Sequence, residues 1–170
     1  TFFGNGIAAH VQFADPISEN LRKIVSDAAK AQGAKTHDGG TYVNMDGPAF
    51  STRAESNANR QLGFDVIGMT NVAEAKLARE AEIALCTMAM ITDYDCWKTD
   101  EEPVSLQTVL GHLKANSQNA QDIVKFAIQN IPTDANWPEH SALAQSIVTQ
   151  PEHWPEGTKA DLMPILEKYC

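Results

Sequence analysis

Short apolar runs alternate with amphipathic stretches between Gly40 and Trp97, and the rest of the chain is organised around that alternation. Thr41 to Asp46 reads as a strand broken by Gly47-Pro48. Phe50-Ser51 then leads into a helix from about Arg53 to Leu62 that stops at Gly63. Phe64 to Met69 reads as a second strand, after which Thr70-Asn71 opens a helix whose Asn71 and Glu74 have the spacing of a capping box. The apolar run Ile83 to Ile91 is a third predicted strand. It is too short for a membrane span and is bounded by the turn Thr92-Asp93-Tyr94-Asp95. If the strands are parallel, Phe50-Ser51, Met69-Thr70 and Thr92 to Asp95 all lie at their C-terminal ends, where open α/β sheets bind ligands.

The flanking segments extend the same pattern. Ile7 to Phe13 reads as a strand after a Gly-containing turn. Gly4, Gly6 and Ala9 match GxGxxA, but no strand precedes them and no helix follows, so the match does not make a dinucleotide loop. Asp15-Pro16 starts a helix with Leu21, Ile24, Val25 and Ala28 as its apolar stripe, ending by Gly33. The acidic run TDEEP after Lys98 reads as a solvated loop. A long helix follows from about Ser105, with Leu106, Val109, Leu110, Leu113, Ala120, Ile123, Val124, Ala127 and Ile128 recurring every three or four residues. That stripe predicts core packing, except in its first turn, which can close one side of a pocket. From Thr133 the tail holds Trp137, Trp154 and several prolines around one short helix near Glu139 to Val148, and reads as a segment wrapping the domain or reaching a neighbouring subunit. The alternation predicts an α/β fold, one domain over 1–170 with a core over 1–131 and a tail over 132–170.

Composition narrows the function classes. The net charge of −9 and the lack of a Lys/Arg cluster argue against nucleic-acid binding. Cys86, Cys96 and Cys170 are odd in number and widely spaced, so neither a disulfide framework nor a zinc ribbon is indicated, and a cytoplasmic setting is expected. No signal peptide or membrane span is read, although the chain starts at Thr1 without a Met. His37, His112, His140 and His153 lack metal-ligand spacing and read as surface or structural residues.

The three turns carry the candidate chemistry. Thr70-Asn71 at a helix N-terminus offers free N–H groups, a hydroxyl and the positive dipole end, which suits a phosphate, although Thr and Asn are also ordinary caps. Asp93 and Asp95, two apart, can point to one side and accept from amino groups, or donate if protonated, although carboxylates in turns are commonly capping or solvated. Phe50 after Gly-Pro can stack on an aromatic ligand or fill a core.

GPAFSTRAES, DVIGMTNVAEAKLAREA and MAMITDYDCW together resemble the motif segments of the methylthioadenosine phosphorylases, in the purine nucleoside phosphorylase superfamily. The resemblance runs from about Phe2 to near Asn130 and fades in the tail. It implies a nucleoside phosphorylase-like α/β fold with a central mixed sheet flanked by helices, usually a homotrimer, that cleaves 5′-methylthioadenosine with inorganic phosphate as co-substrate, using no cofactor and no metal. It implies further that Thr70 binds phosphate and that Met69 packs beneath the ribose. Phe50 and Ser51 would lie beside the purine, with Ser51 setting specificity. Asp93 and Asp95 would bond the purine N7 and 6-amino group as the catalytic pair, within a substrate-binding turn that includes Thr92 and Tyr94. Leu106, Val109 and Leu110 fall where the family lines its 5′-methylthio pocket, Leu106 standing at a specificity position often occupied by Val. His10 matches a residue that reaches a neighbouring subunit's pocket.

The family's N-terminal part, with a Gly-rich phosphate loop and an Arg-His pair, has no counterpart in these residues. The tail offers no match for the family's pocket-closing residue. The chain therefore reads as the C-terminal portion of such an enzyme, with its N-terminal fragment as an expected partner. The alternatives are a hydrolytic nucleosidase of similar fold and a fragment that does no catalysis without that partner.

Overall fold

A computed structural model of the chain describes residues 1–98 and 106–170, with the backbone alone at residues 106–109, 112 and 115. The helices are α1 (Glu19–Ala31), α2 (Arg53–Gln61), α3 (Asn71–Glu80), α4 (Leu106–Asn130) and α5 (Glu156–Leu166), and the strands are β1 (Tyr42–Asn44) and β2 (Val66–Gly68). The chain divides into two compact units. One holds Thr1–Arg22, Val72–Cys86 and Pro132–Cys170, and the other Lys23–Asn71 and Thr87–Ile131.

In the second unit β1 and β2 pair in parallel, Tyr42 opposite Val66 and Asn44 opposite Gly68. The condition that these two runs lie parallel is therefore met. The Tyr42 side chain lies across Gly68 because that residue has no side chain, since a Cβ there would lie 1.7 Å from the Tyr42 phenol oxygen. Helix α2, which connects them, is bounded by two local devices. The Thr52 hydroxyl accepts the Glu55 N–H at 3.2 Å while the Glu55 carboxylate accepts the Thr52 N–H at 2.6 Å, a full capping box. Gly63, at φ +79°, ends the helix, where its own N–H reaches Arg60 O and that of Phe64 reaches Asn59 O. The core of this unit joins Ala28 and Ala29 of α1 to Ile123 and Ala127 of α4.

The first unit is built on Phe3, Ile7, Leu143, Trp154, Leu162 and Leu166. Residues of the tail thus supply most of a buried cluster. Glu82 ties this unit together, with its Oε1 accepting the Leu143 N–H at 2.8 Å and the Tyr169 hydroxyl at 2.5 Å, and its Oε2 pairing with Lys168.

Several expectations are corrected. Ile83 to Ile91 takes no regular structure, and Ile7 to Phe13 makes only isolated antiparallel bridges, Ile7 to Gly4 and Ala9 to Ile147. A strand exists only through a neighbour's ladder, and among the described residues neither run has a continuous one. Of the expected α/β arrangement of helices about a sheet, the described residues show the helices and a sheet of two parallel strands. Helix α1 starts at Glu19 rather than Asp15-Pro16, because Ser18 caps it with its hydroxyl 3.4 Å from the Leu21 N–H. The tail forms 3-10 turns at Pro138–Ser141 and Pro151–His153 in place of the predicted short helix, and its α-helix lies later, at α5. Helix α4 matches expectation in extent, but its apolar stripe is only partly covered, since Leu110, Leu113, Val124 and Ile128 are exposed. The TDEEP run lies outside the described residues.

Candidate functional site

The parallel ladder carries Phe50-Ser51 and Met69-Thr70 beyond the C-terminal ends of β1 and β2. The Asn44 side-chain amide donates to Met69 O at 3.0 Å and to Met45 O at 3.2 Å, joining the two strand ends. Gly47 lets the Met69 side chain lie against the backbone, for a Cβ there would meet Met69 Sδ at 2.8 Å. The Ser51 hydroxyl contacts Met45 Sδ at 3.8 Å. Thr70 is exposed and stands immediately before α3, whose first residue Asn71 accepts the Thr87 hydroxyl on its Oδ1 at 2.6 Å.

The acidic turn joins this cluster although no strand precedes it. Cys96 Sγ donates to Ser51 O at 3.5 Å, and Arg53 Nη1 donates to Cys96 O at 2.6 Å. Within the turn the Thr92 hydroxyl donates to Asp93 Oδ2 at 2.7 Å, and the Cys96 N–H to Asp95 Oδ1 at 2.8 Å. Tyr94 meets Trp97 edge to face with centroids 5.7 Å apart, the Arg60 guanidinium lies 3.8 Å from the Trp97 ring centre, and Lys98 Nζ lies 3.8 Å from that of Tyr94. Asp93 is exposed and Asp95 half-buried.

One compact unit therefore contains Phe50, Ser51, Met69, Thr70, Thr92, Asp93, Tyr94 and Asp95. Phe50 is 86% exposed, so it is a side chain without core contacts here and available for stacking. Leu110 is also exposed on α4, whereas the side chains of Leu106 and Val109 lie outside the described residues. His10 belongs to the other unit, exposed, with its N–H on Ser146 O at 2.8 Å. A concavity of about 590 Å³ is lined by Gly111, Lys114, Ser117, Gln118 and Gln121, none of them a predicted site residue. Among the described residues no group of three His, Cys, Asp or Glu is placed to hold a metal ion.

Sequence reasoning passed over the residues that hold this arrangement, namely Asn44, Arg53, Arg60 and the Thr52-Glu55 box. The box was readable as T-x-x-E ahead of a helix. Asn44 was visible only as a polar interruption in an apolar strand.

The family model of the phosphorylase superfamily matches residues 1–129. The chain belongs to this superfamily. It is 48% identical over 169 residues to S-methyl-5′-thioadenosine phosphorylase of Koribacter versatilis, covering 99% of this chain and 58% of that protein. It is likewise 48% identical to the enzyme of that name from Geobacter sulfurreducens, covering 99% and 59%. Among solved structures, a methylthioadenosine phosphorylase from an antarctic soil metagenomic library matches with TM-score 0.90 and 43% identity, over 97% of this chain and 59% of that one. An adenosine/methylthioadenosine phosphorylase variant from Schistosoma mansoni, in complex with methylthioadenosine, matches with TM-score 0.72 and 25% identity, over 98% and 58%. The expected nucleoside phosphorylase fold is thus found, and the chain spans somewhat over half the length of the relatives it matches.

Proposed function

We propose that the protein to which this chain contributes cleaves 5′-methylthioadenosine with inorganic phosphate, giving adenine and 5-methylthioribose 1-phosphate. The observation that carries this reading is the joining of the acidic turn to Ser51 through Cys96, in the unit that also holds Met69 and Thr70. Relatives at 48% identity bearing the name S-methyl-5′-thioadenosine phosphorylase support it.

In this reading Thr70 and the N-terminus of α3 hold phosphate in line with the anomeric carbon, and Met69 packs beneath the ribose. Glycosidic cleavage passes through an oxocarbenium-like state while negative charge builds on the purine. Asp93 stabilises that charge by sharing a proton with N7 as the bond breaks, and Asp95 accepts from the 6-amino group. Phe50 and Ser51 flank the base, Leu106, Val109 and Leu110 receive the 5′-methylthio group, and Thr92 and Tyr94 shape the turn. Positioning and preorganised charge supply most of the rate enhancement, with phosphate as co-substrate and no cofactor or metal. The protein works in the cytoplasm as a homotrimer, His10 reaching a neighbouring subunit's pocket, with an N-terminal portion completing each subunit.

The test is adenine release by the protein that contains this chain together with the remainder of its relatives' length. Release should require phosphate. Thr70→Ala should raise the KM for phosphate roughly tenfold or more, with a smaller effect on the nucleoside, because a hydrogen bond to a charged group is worth about 1.5–3 kcal/mol. Cleavage that proceeds equally without phosphate would make the protein a nucleosidase instead.

A further inference from the structure

We propose that Arg53 and Arg60 of α2 are positioning residues that set the Asp93-Tyr94-Asp95 turn for recognition of the purine. The inference rests on the reading above for its function, but on separate observations for its geometry. The run before the turn takes no strand, so no ladder fixes Asp93 and Asp95 from that side. Side chains reach the turn from elsewhere: the Asn116 amide donates to Ile91 O at 3.0 Å before it, and two arginines of α2 reach the residues after it. Arg53 donates to the carbonyl of Cys96 at 2.6 Å, and the Arg60 guanidinium lies 3.8 Å from the centre of the Trp97 ring.

The two arginines are seven residues apart, two turns of helix, so they project from one face of α2. They grip consecutive residues, Cys96 and Trp97. Each grip is passed back toward the carboxylates. The Cys96 N–H, on the residue whose carbonyl Arg53 holds, donates to Asp95 Oδ1 at 2.8 Å, and the Lys98 N–H closes the turn on Asp95 O at 3.1 Å. Trp97, held by Arg60, meets the Tyr94 ring edge to face at 5.7 Å, and Tyr94 separates the two aspartates. The platform itself is stiff at both ends, with the capping box next to Arg53 and the Gly63 motif whose N–H bonds Arg60 O. Arginine suits both contacts, since its planar guanidinium donates directionally at one and stacks on an aromatic face at the other.

The test uses the protein containing this chain and the remainder of its relatives' length, with Arg53→Ala, Arg53→Lys and Arg60→Met. Arg53→Lys keeps a cationic donor, and Arg60→Met keeps an apolar stem without the stacking guanidinium. Amide exchange in the free protein, read on the segment from Thr92 to Lys98, should quicken in Arg53→Ala and Arg60→Met while other segments stay unchanged. Arg53→Lys should return it part-way. In turnover, both loosened variants should lower kcat/KM for methylthioadenosine roughly tenfold or more and erode the preference for 6-amino over 6-oxo purine, because small misplacements of positioning groups are costly. The KM for phosphate should stay within about twofold, since Thr70 follows β2, whose pairing with β1 involves neither arginine. Unchanged exchange in the segment, or equal loss for phosphate and purine, overturns the proposal. A wild-type protein that shows no phosphate-dependent cleavage overturns the functional reading alone, and the exchange data then decide whether the arginines hold the turn.

Discussion

Asp95 has already committed one oxygen to the backbone, the Cys96 N–H at 2.8 Å on Oδ1, and this decides what substitution there would do. In Asp95→Asn the amide oxygen can keep that bond, which leaves an NH₂ where the carboxylate offered Oδ2. A donor then replaces an acceptor at the position proposed to meet the 6-amino group. The ratio of kcat/KM for methylthioadenosine over methylthioinosine should fall about tenfold or more, because sites built to hydrogen-bond a group discriminate strongly against its absence. An unchanged ratio would remove Asp95 from base recognition. Residue identities of this kind were legible in the sequence because Thr70 and the two aspartates stand in polar turns beside apolar runs. Their supports were not legible, since Arg53 reaches Cys96 and Asn44 reaches Met69 across 43 and 25 residues of chain.

Among the elements, those that satisfy their own backbone were readable and those that depend on distant partners were not. Helices α2 and α4 fall where periodicity and Gly63 place them. The expected strand at Ile83 to Ile91 is missing because pairing is a property of two segments. Helix α5 was overlooked because Pro164 lies inside it, and proline in a sequence reads as a breaker. That helix runs into the segment secured by Glu82, whose side chain is only 7% exposed. Burial pushes the Glu82 carboxyl up, but its bonds to Lys168, Tyr169 and the Leu143 N–H outweigh this and hold it below the usual carboxylate value of 4.5. Burial and the neighbouring carboxylate raise the Tyr169 phenol above its usual 10.0. A depressed carboxyl contributes stability that is complete above pH 4.5 and lost as pH falls through its folded value. A raised phenol contributes stability that is complete below pH 10.0 and lost as pH rises above it. Glu82→Gln should therefore destabilise the protein by about 2 kcal/mol at pH 7, less than two full charged bonds because Lys168 is half exposed. Urea unfolding should show this difference shrinking below pH 4.5, and a difference that is constant with pH would mean the carboxylate charge contributes nothing.

For the whole molecule, the relevant fact is that the chain covers 58% of the Koribacter versatilis relative while its described sheet has two strands. A two-stranded sheet is marginal by itself, and parallel sheets are normally covered on both faces. In the unit that carries the candidate site, Met90, Ile91, Leu110, Val124 and Ile128 are exposed, Ile128 at 63%. Apolar surface of this kind marks an interaction site or an aggregation hazard. We therefore predict that the 170-residue chain produced alone binds a hydrophobic dye and self-associates. Supplying a second polypeptide equivalent to the remainder of its relatives' length should suppress both behaviours and restore phosphate-dependent release of adenine, because the two pieces together bury what one continuous chain would bury. Sedimentation and dye fluorescence with and without that partner decide the matter. A chain that by itself is monomeric, dye-free and active on methylthioadenosine would show that these residues suffice, and that the exposed side chains of α4 await no partner.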